Sequence, residues 1–433
     1  MSPPRRFATP LGALLLVASL LRLLLAPPGG PGGDFHHFWA AARFARAHPD
    51  AARAIYRDRA GVAAFLRAEL RARAERRLPP GDAALAERLL EHDPELALEA
   101  RLAGAYESGF GFVNTPVIVA LVRAPGLDRL PFPRALLLWR LLQVSAFMAA
   151  LLLLSRVGWL GRGATLMALA MGFVSGPFLS SLRVGQFLEV TLLLSAAGLL
   201  LASRGRPGAG GLLLGAAVAL KPLAVPFLAA AAFGALVHRQ GRGPLLAGAL
   251  LGCAAALAAG EAALPGGTRE FARGLAPLAR GSLMAGSARE LLESPGNRAP
   301  LAALRALGAP AVPAQLALGG LALLALLWAG LRARARLAAR PLEGAGLAAI
   351  LLFLPSGLVW FHYYELTAPA LLAAPVPVAF LAWSGIAFSE LLAAWLPGFL
   401  FPEVAGLVLL LAALLARKTN RARDRVPAPG SEA

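Results

Sequence analysis

Long apolar runs separated by short arginine-bearing turns set the pattern of this chain. Windows of about 17 to 25 apolar residues match the hydrocarbon thickness of a bilayer. Spans are predicted on this basis at residues 11–26, 133–155, 164–182, 187–202, 245–264, 314–331, 346–360, 366–382, 386–400 and 404–416. The segment 208–237 is too long for one span and too short for two, and Lys221-Pro222 stands near its middle. Proline removes a donor and disfavours helical geometry in the residue before it, so two short helices are expected to meet at Lys221. A broken hairpin of this kind is tolerated at membrane depth only where it is buried or lines a cavity. The predicted fold is an all-α polytopic membrane protein, one integral domain over residues 1–433 with a bundle of roughly 10 to 12 transmembrane helices.

Two polar stretches interrupt this pattern. Residues 27–114 show helical periodicity in pieces, at 38–47 and 83–103, with arginine-rich faces and a break at Pro79-Pro80-Gly81. They predict a long first external loop of short amphipathic helices lying along the membrane surface. Residues 265–313 form a second external loop. The brief apolar run 117–122, after Asn114-Thr115-Pro116, is too short to span and reads as an interfacial turn or a re-entrant wall.

Charge sharpens the topology. The chain carries 42 Lys+Arg against 24 Asp+Glu, a formal +18, with 58% hydrophobic residues and a mean hydropathy of +0.65. The arginines flank apolar runs, which points to anionic lipid headgroups rather than nucleic acid. Arg5/Arg6, Arg156/Arg162, Arg204/Arg206, Arg239/Arg242, Arg332/Arg334/Arg336/Arg340 and Arg417/Lys418/Arg421 place both termini, including a basic tail at 417–433, on the cytoplasmic side. Richness in Ala, Arg, Gly and Pro, with Lys221 and Lys418 the only lysines, suggests a bacterial inner membrane. Arg5/Arg6 ahead of 11–26 resemble a signal peptide, but Pro27-Pro28-Gly29 offers no small-x-small cleavage site, so the first helix is expected to be retained. The single cysteine, Cys253, lies in an apolar run and allows no intrachain disulfide or cysteine metal site.

By this parity Asp34, Gln186, Lys221, residues 265–313 and His362-Tyr363-Tyr364 all face the external side. Asp34, within Gly33-Asp34-Phe35-His36-His37-Phe38-Trp39, is the candidate catalytic carboxylate; a proton acceptor of this kind serves transfer to a sugar hydroxyl. Its plain alternative is a solvated turn residue. Phe35, Phe38 and Trp39 are expected to anchor the loop at headgroup level, and His36 and His37, without partners at ligand spacing, give no metal site. Lys221, Arg305 and His362 are candidates to hold a phosphate. Gln186, Asn297, Tyr363 and Asn114 are candidates for substrate contact, against ordinary loop or interfacial roles. Glu189, a carboxylate one turn into an apolar run, needs a cavity or a partner, and an ion pair with Lys221 is one option.

Asp-Phe after the first helix, the Asn-x-Pro turn, Gly185-Gln186 before a helix, a glycine-rich helix ending in Lys221-Pro222, Asn297 followed by arginine, and His362-Tyr363-Tyr364 together resemble glycosyltransferase family 87, across roughly residues 34–369. The resemblance implies a GT-C class, polyprenol-phosphate-mannose-dependent mannosyltransferase. Such an enzyme is inverting, acts on the non-cytoplasmic face and passes a hexose to a glycolipid or glycan acceptor. It implies Asp34 as catalytic base, Lys221, Arg305 and His362 around the donor phosphate, and no cofactor or metal. The chain departs from the family pattern at Gly185-Gln186-Phe187-Leu188, where Gly-Gln-x-Asn is usual, and at Asn297-Arg298-Ala299-Pro300, where Asn-Gln-Ser-Leu is usual. The extra length at residues 58–101 suggests an acceptor-side surface. Two rivals stand beside this expectation: a multi-span lipid or solute transporter or flippase, and a scaffold that has lost activity.

Overall fold

The computed structural model describes residues 4–25, 32–79, 82–108, 114–279, 297–356, 359–389 and 402–417. Among them the regular structure is helical, and the extended pairing is a single isolated antiparallel bridge between Asn297 and Trp360. In chain order the helices are α1 (Pro4–Leu25), α2 (Gly33–Ala47), α3 (Arg59–Glu75), α4 (Ala83–His92), α5 (Pro94–Ser108), α6 (Val117–Arg123) and α7 (Phe132–Val157). They continue as α8 (Arg162–Phe173), α9 (Gly176–Val184), α10 (Leu188–Ser203), α11 (Pro207–Leu220), α12 (Val225–Val237), α13 (Arg242–Ala263) and α14 (Gly267–Ala279). The last seven are α15 (Pro300–Ala306), α16 (Ala311–Trp328), α17 (Arg334–Ala339), α18 (Pro341–Phe353), α19 (Ala368–Ala373), α20 (Val376–Ala387) and α21 (Pro402–Ala416).

Among the described residues three stretches are long and apolar enough to cross a membrane: α7, α13, and α16 continued through a π-helical turn into α17. A fourth is available if α8 and α9, bent by 50° at Val174-Ser175, count as one. The expected span at 164–182 is therefore a bent pair. The segment 208–237 breaks where its proline predicts: Lys221 is extended, with φ −145° and ψ 112°, and Pro222 opens a short 3-10 turn into α12. The expected span at 366–382 is not one helix. A 3-10 turn over Phe361–Thr367 leads into the six-residue α19, and Pro375 and Pro377 restart the chain as α20. Most of the expected span at 386–400 lies outside the described residues.

The pairing of α11 on α13 rests on two reciprocal Gly-x-x-x-Gly motifs. A Cβ added at Gly211 or Gly215 would strike the Leu245 or Ala249 carbonyl, and one at Gly248 or Gly252 the Gly208 or Leu212 carbonyl. Without side chains the two backbones approach closely, the usual means of packing apolar helices where no hydrophobic force separates them from lipid. At the opposite end of the chain Glu343, 3% exposed, meets Arg336 at 3.2 Å, Arg340 at 2.9 Å and Arg417 at 2.7 Å, tying α17, α18 and the residue after α21 together.

The first polar insertion is a packed unit. Phe35, Phe38 and Trp39 are at most 2% exposed and pack with Phe132, Trp139 and Phe187, so their rings are buried in protein. Leu70, Ala74, Ala86 and Leu96 close a second small core between α3, α4 and α5. Several of its arginines are engaged by acids of neighbouring elements: Arg43 donates to both oxygens of Glu69 at 2.8 and 2.9 Å, Arg46 meets Asp128 at 2.6 Å, Arg73 meets Glu99 at 2.7 Å, and Arg57 meets Glu270 at 2.6 Å. His36 is buried against Phe132 and Trp39, and desolvation, with His37 beside it, lowers its imidazole from 6.5 to about 3.

Two outcomes follow from this packing. Gly215→Leu drives the α11–α13 backbones apart and lowers the thermal unfolding midpoint by an amount equivalent to about 1–3 kcal/mol. Gly319→Leu, at a position with nothing nearby, leaves the midpoint in place. Equal shifts in the two variants would refute the glycine contact. For His36, the unfolded chain takes up a proton below 6.5 that the folded state refuses until about 3, so stability falls as pH drops through that window. Acid titration followed by tryptophan fluorescence should show a flatter dependence in His36→Leu.

Candidate functional site

Two chain corners bring the site together. The first precedes α2, where Gly32 adopts φ +65° and donates its N–H to the Arg183 carbonyl at 3.2 Å. Asp34 follows in the first turn of α2, half-buried, where a helix N-terminus favours a carboxylate. The second corner is Gly185, between α9 and α10, with φ +76°. A Cβ there would fall 2.5 Å from Phe35 Cβ, so glycine is needed both for its backbone angle and for this approach. The Trp139 indole N–H, reaching in from α7, is shared between the Gly185 and Gln186 carbonyls at 3.0 and 3.1 Å and fixes the corner.

Gln186 thereby bridges two charges. Its Nε2 donates to Asp34 Oδ2 at 2.6 Å, and its Oε1 accepts from Lys221 Nζ at 3.1 Å. Only this orientation satisfies both neighbours, because the ammonium has donors alone and a carboxylate accepts. Lys221 is 6% exposed and sits between aromatic faces, 4.6 Å from the Phe187 centroid and 4.5 Å from that of Tyr363. The carbonyl of Leu220, freed where α11 breaks, receives the Thr115 hydroxyl at 2.9 Å. His362 stands edge-on to Tyr363 at 4.7 Å and feels the Lys221 charge; its buried Nε2 has no hydrogen-bond partner among the described residues.

Asp34, Gln186, Lys221, Tyr363 and His362 are therefore brought together, and the other candidates stand around them. Asn114 lends its carbonyl to the Tyr56 hydroxyl at 2.8 Å, one residue before the Thr115 strut. The Asn297 Oδ1 accepts from the backbone of Val359 at 3.0 Å and Ala299 at 3.1 Å, which seats α15 against the extended residues that lead to His362. Arg305 is half-buried at the end of α15. Glu189 makes no direct ion pair with Lys221; it accepts from Gln143 Nε2 at 3.2 Å. Among the described residues no group of three or more His, Cys, Asp or Glu side chains is arranged to hold a metal ion.

Sequence reasoning missed the supports. Trp139 reads as one more apolar residue of a span, and Thr115 as part of a turn. His37, which the sequence offered only as half of a rejected metal pair, feels the Asp34 carboxylate: burial pulls its imidazole down while Asp34 opposes that pull.

Gly185→Ala is expected to lower the thermal midpoint more than Gly126→Ala. Gly126 shares the positive φ but faces open space, so the difference isolates the Phe35 contact. Equal shifts would mean that backbone strain alone, about 1 kcal/mol, is at stake.

No curated protein and no solved structure matches the chain. The model of glycosyltransferase family 87 matches residues 112–359, more than half of the chain. That span includes Asn114, Gln186, Lys221, Asn297 and Arg305, and it leaves Asp34, His362 and Tyr363 outside. With its Gly-Gln corner and its lysine at a helix break both inside the matched span, the chain belongs to glycosyltransferase family 87.

Proposed function

We propose that this glycosyltransferase moves a hexose, mannose by family resemblance, from a polyprenyl-phosphate donor to a lipid-linked or glycan acceptor, with inversion. The observation that carries the reading is the Asp34–Gln186–Lys221 bridge: a half-exposed carboxylate and a buried ammonium held on one amide. The acceptor hydroxyl gives its proton to Asp34 while its oxygen attacks the anomeric carbon. The bond from that carbon to the phosphate oxygen breaks with its electron pair going to oxygen. A singly charged phosphodiester thus leaves as a phosphate monoester, and groups aimed at those oxygens stabilise the developing charge. Lys221 meets it by exchanging the Gln186 amide for a phosphate oxygen, His362 offers its unpartnered Nε2 in the N–H form, and Arg305 supplies a planar fork from α15. Tyr363, Gln186, Asn114 and Asn297 shape the sugar side.

The arginine pattern supports a multi-pass, GT-C-like bundle in a bacterial inner membrane, both termini cytoplasmic and the site on the external face. The packed insertion of α2–α5 then covers the acceptor side. The test uses the full chain in vesicles with a polyprenyl-phosphate hexose. Wild type should release polyprenyl phosphate as product forms, and Asp34→Asn should transfer ~10²–10⁴-fold more slowly. Transfer by that variant at near wild-type rate would exclude Asp34 as the base. Protein-dependent lipid flux without bond cleavage would favour a transporter.

A further inference from the structure

Lys221 has electrostatic neighbours that the proposed reaction does not use. Besides Asp34 it feels Glu189, fully buried in the first turn of α10, and Glu365, 5% exposed in the 3-10 turn that carries His362 and Tyr363. The two glutamates also act on each other, and the Ser181 hydroxyl of α9 lies beside both. Donors are scarce there. Gln143 Nε2 serves Glu189, at 3.2 and 3.3 Å from its two oxygens. Ser181 Oγ and both Glu365 oxygens make no hydrogen bond of good geometry among the described residues.

An ionised carboxylate away from water costs several kcal/mol unless donors surround it, and two neighbouring carboxylates do not both ionise where they share one site. One ammonium also has Asp34 to answer through Gln186. A proton on one glutamate removes a charge and supplies the donor that the inventory lacks. We propose that Glu189 and Glu365 carry a single proton between them and act as a one-charge counterion that positions the Lys221 ammonium for an incoming phosphate. The neighbours that bear on the pair are Lys221, Asp34, Ser181 and Gln143, with His362 and Tyr363 on the turn that presents Glu365. The pair and Lys221 together are then neutral, and Asp34 keeps its charge for the acceptor.

This charge count separates single from double substitutions. Glu189→Gln or Glu365→Gln removes the shared proton but leaves one negative charge, whereas the double variant strips Lys221 of its counterion. The first measurement is independent of turnover: infrared difference spectra of the purified full chain, wild type against each variant. Each single variant should lose one protonated-carboxyl carbonyl stretch, and the double variant should lose no more than either single. Retention of that band in both single variants would overturn the shared proton. The second measurement rests on the proposed function. The Michaelis constant for a polyprenyl-phosphate hexose should rise about threefold in each single variant and at least about tenfold in the double, with kcat less affected. Single variants as impaired as the double would overturn the counterion role. If wild type transfers no sugar from such a donor, the proposed function fails while the infrared comparison still decides the proton.

Discussion

One amide holds the candidate site in shape. Gln186 has a donor end and an acceptor end, and it spends one on Asp34 and the other on Lys221. It does so only while three residues from distant parts of the chain stay in line. Much of the surrounding structure preserves that alignment: the Gly185 turn against Phe35, the Trp139 indole on the two carbonyls of the corner, and the Thr115 hydroxyl on the last carbonyl of α11. In a site shielded from water each of these bonds is stronger than it would be at a surface, and each is costly to leave unmade.

What the sequence made legible was polarity in an apolar setting. Asp34, Gln186 and Lys221 stand out against hydrophobic neighbours, and Lys221-Pro222 announces its own helix break. Hydropathy did less well where it treats residues as interchangeable. It ran one span through Pro369, Pro375 and Pro377, where missing donors and fixed φ restart the chain. It passed over Val174-Ser175, where a bend leaves mean hydropathy unchanged. Trp139 was invisible for the same reason, since an indole in an apolar run counts by its ring and not by its N–H.

The insertion shows what composition leaves out. Its aromatic and arginine content suits a membrane interface, and composition does not distinguish that from a small packed unit whose cations have found acids. The decision lies in pairing: Arg43 with Glu69 is separated by 26 residues and Arg57 with Glu270 by 213, distances over which no periodicity speaks. His36 and His37 make the point within two residues. One turns onto Phe132 and the other onto Tyr106, where it feels the Asp34 charge, because neighbours on a helix point about 100° apart.

The meeting of the Gly32 and Gly185 corners has a consequence for how such a site changes. The carboxylate end of the bridge lies before the family-matched span, and the amide and ammonium ends lie within it. The two are joined through a backbone hydrogen bond and a glycine contact, neither of which depends on the side chains of the insertion beyond Phe35. The insertion is held along a broader seam as well, through Phe38 and Trp39, the Arg46–Asp128 and Arg57–Glu270 pairs and the Tyr56–Asn114 bond. Its outer surface, away from that seam, can change without disturbing the cation that the rest of the bundle holds in place.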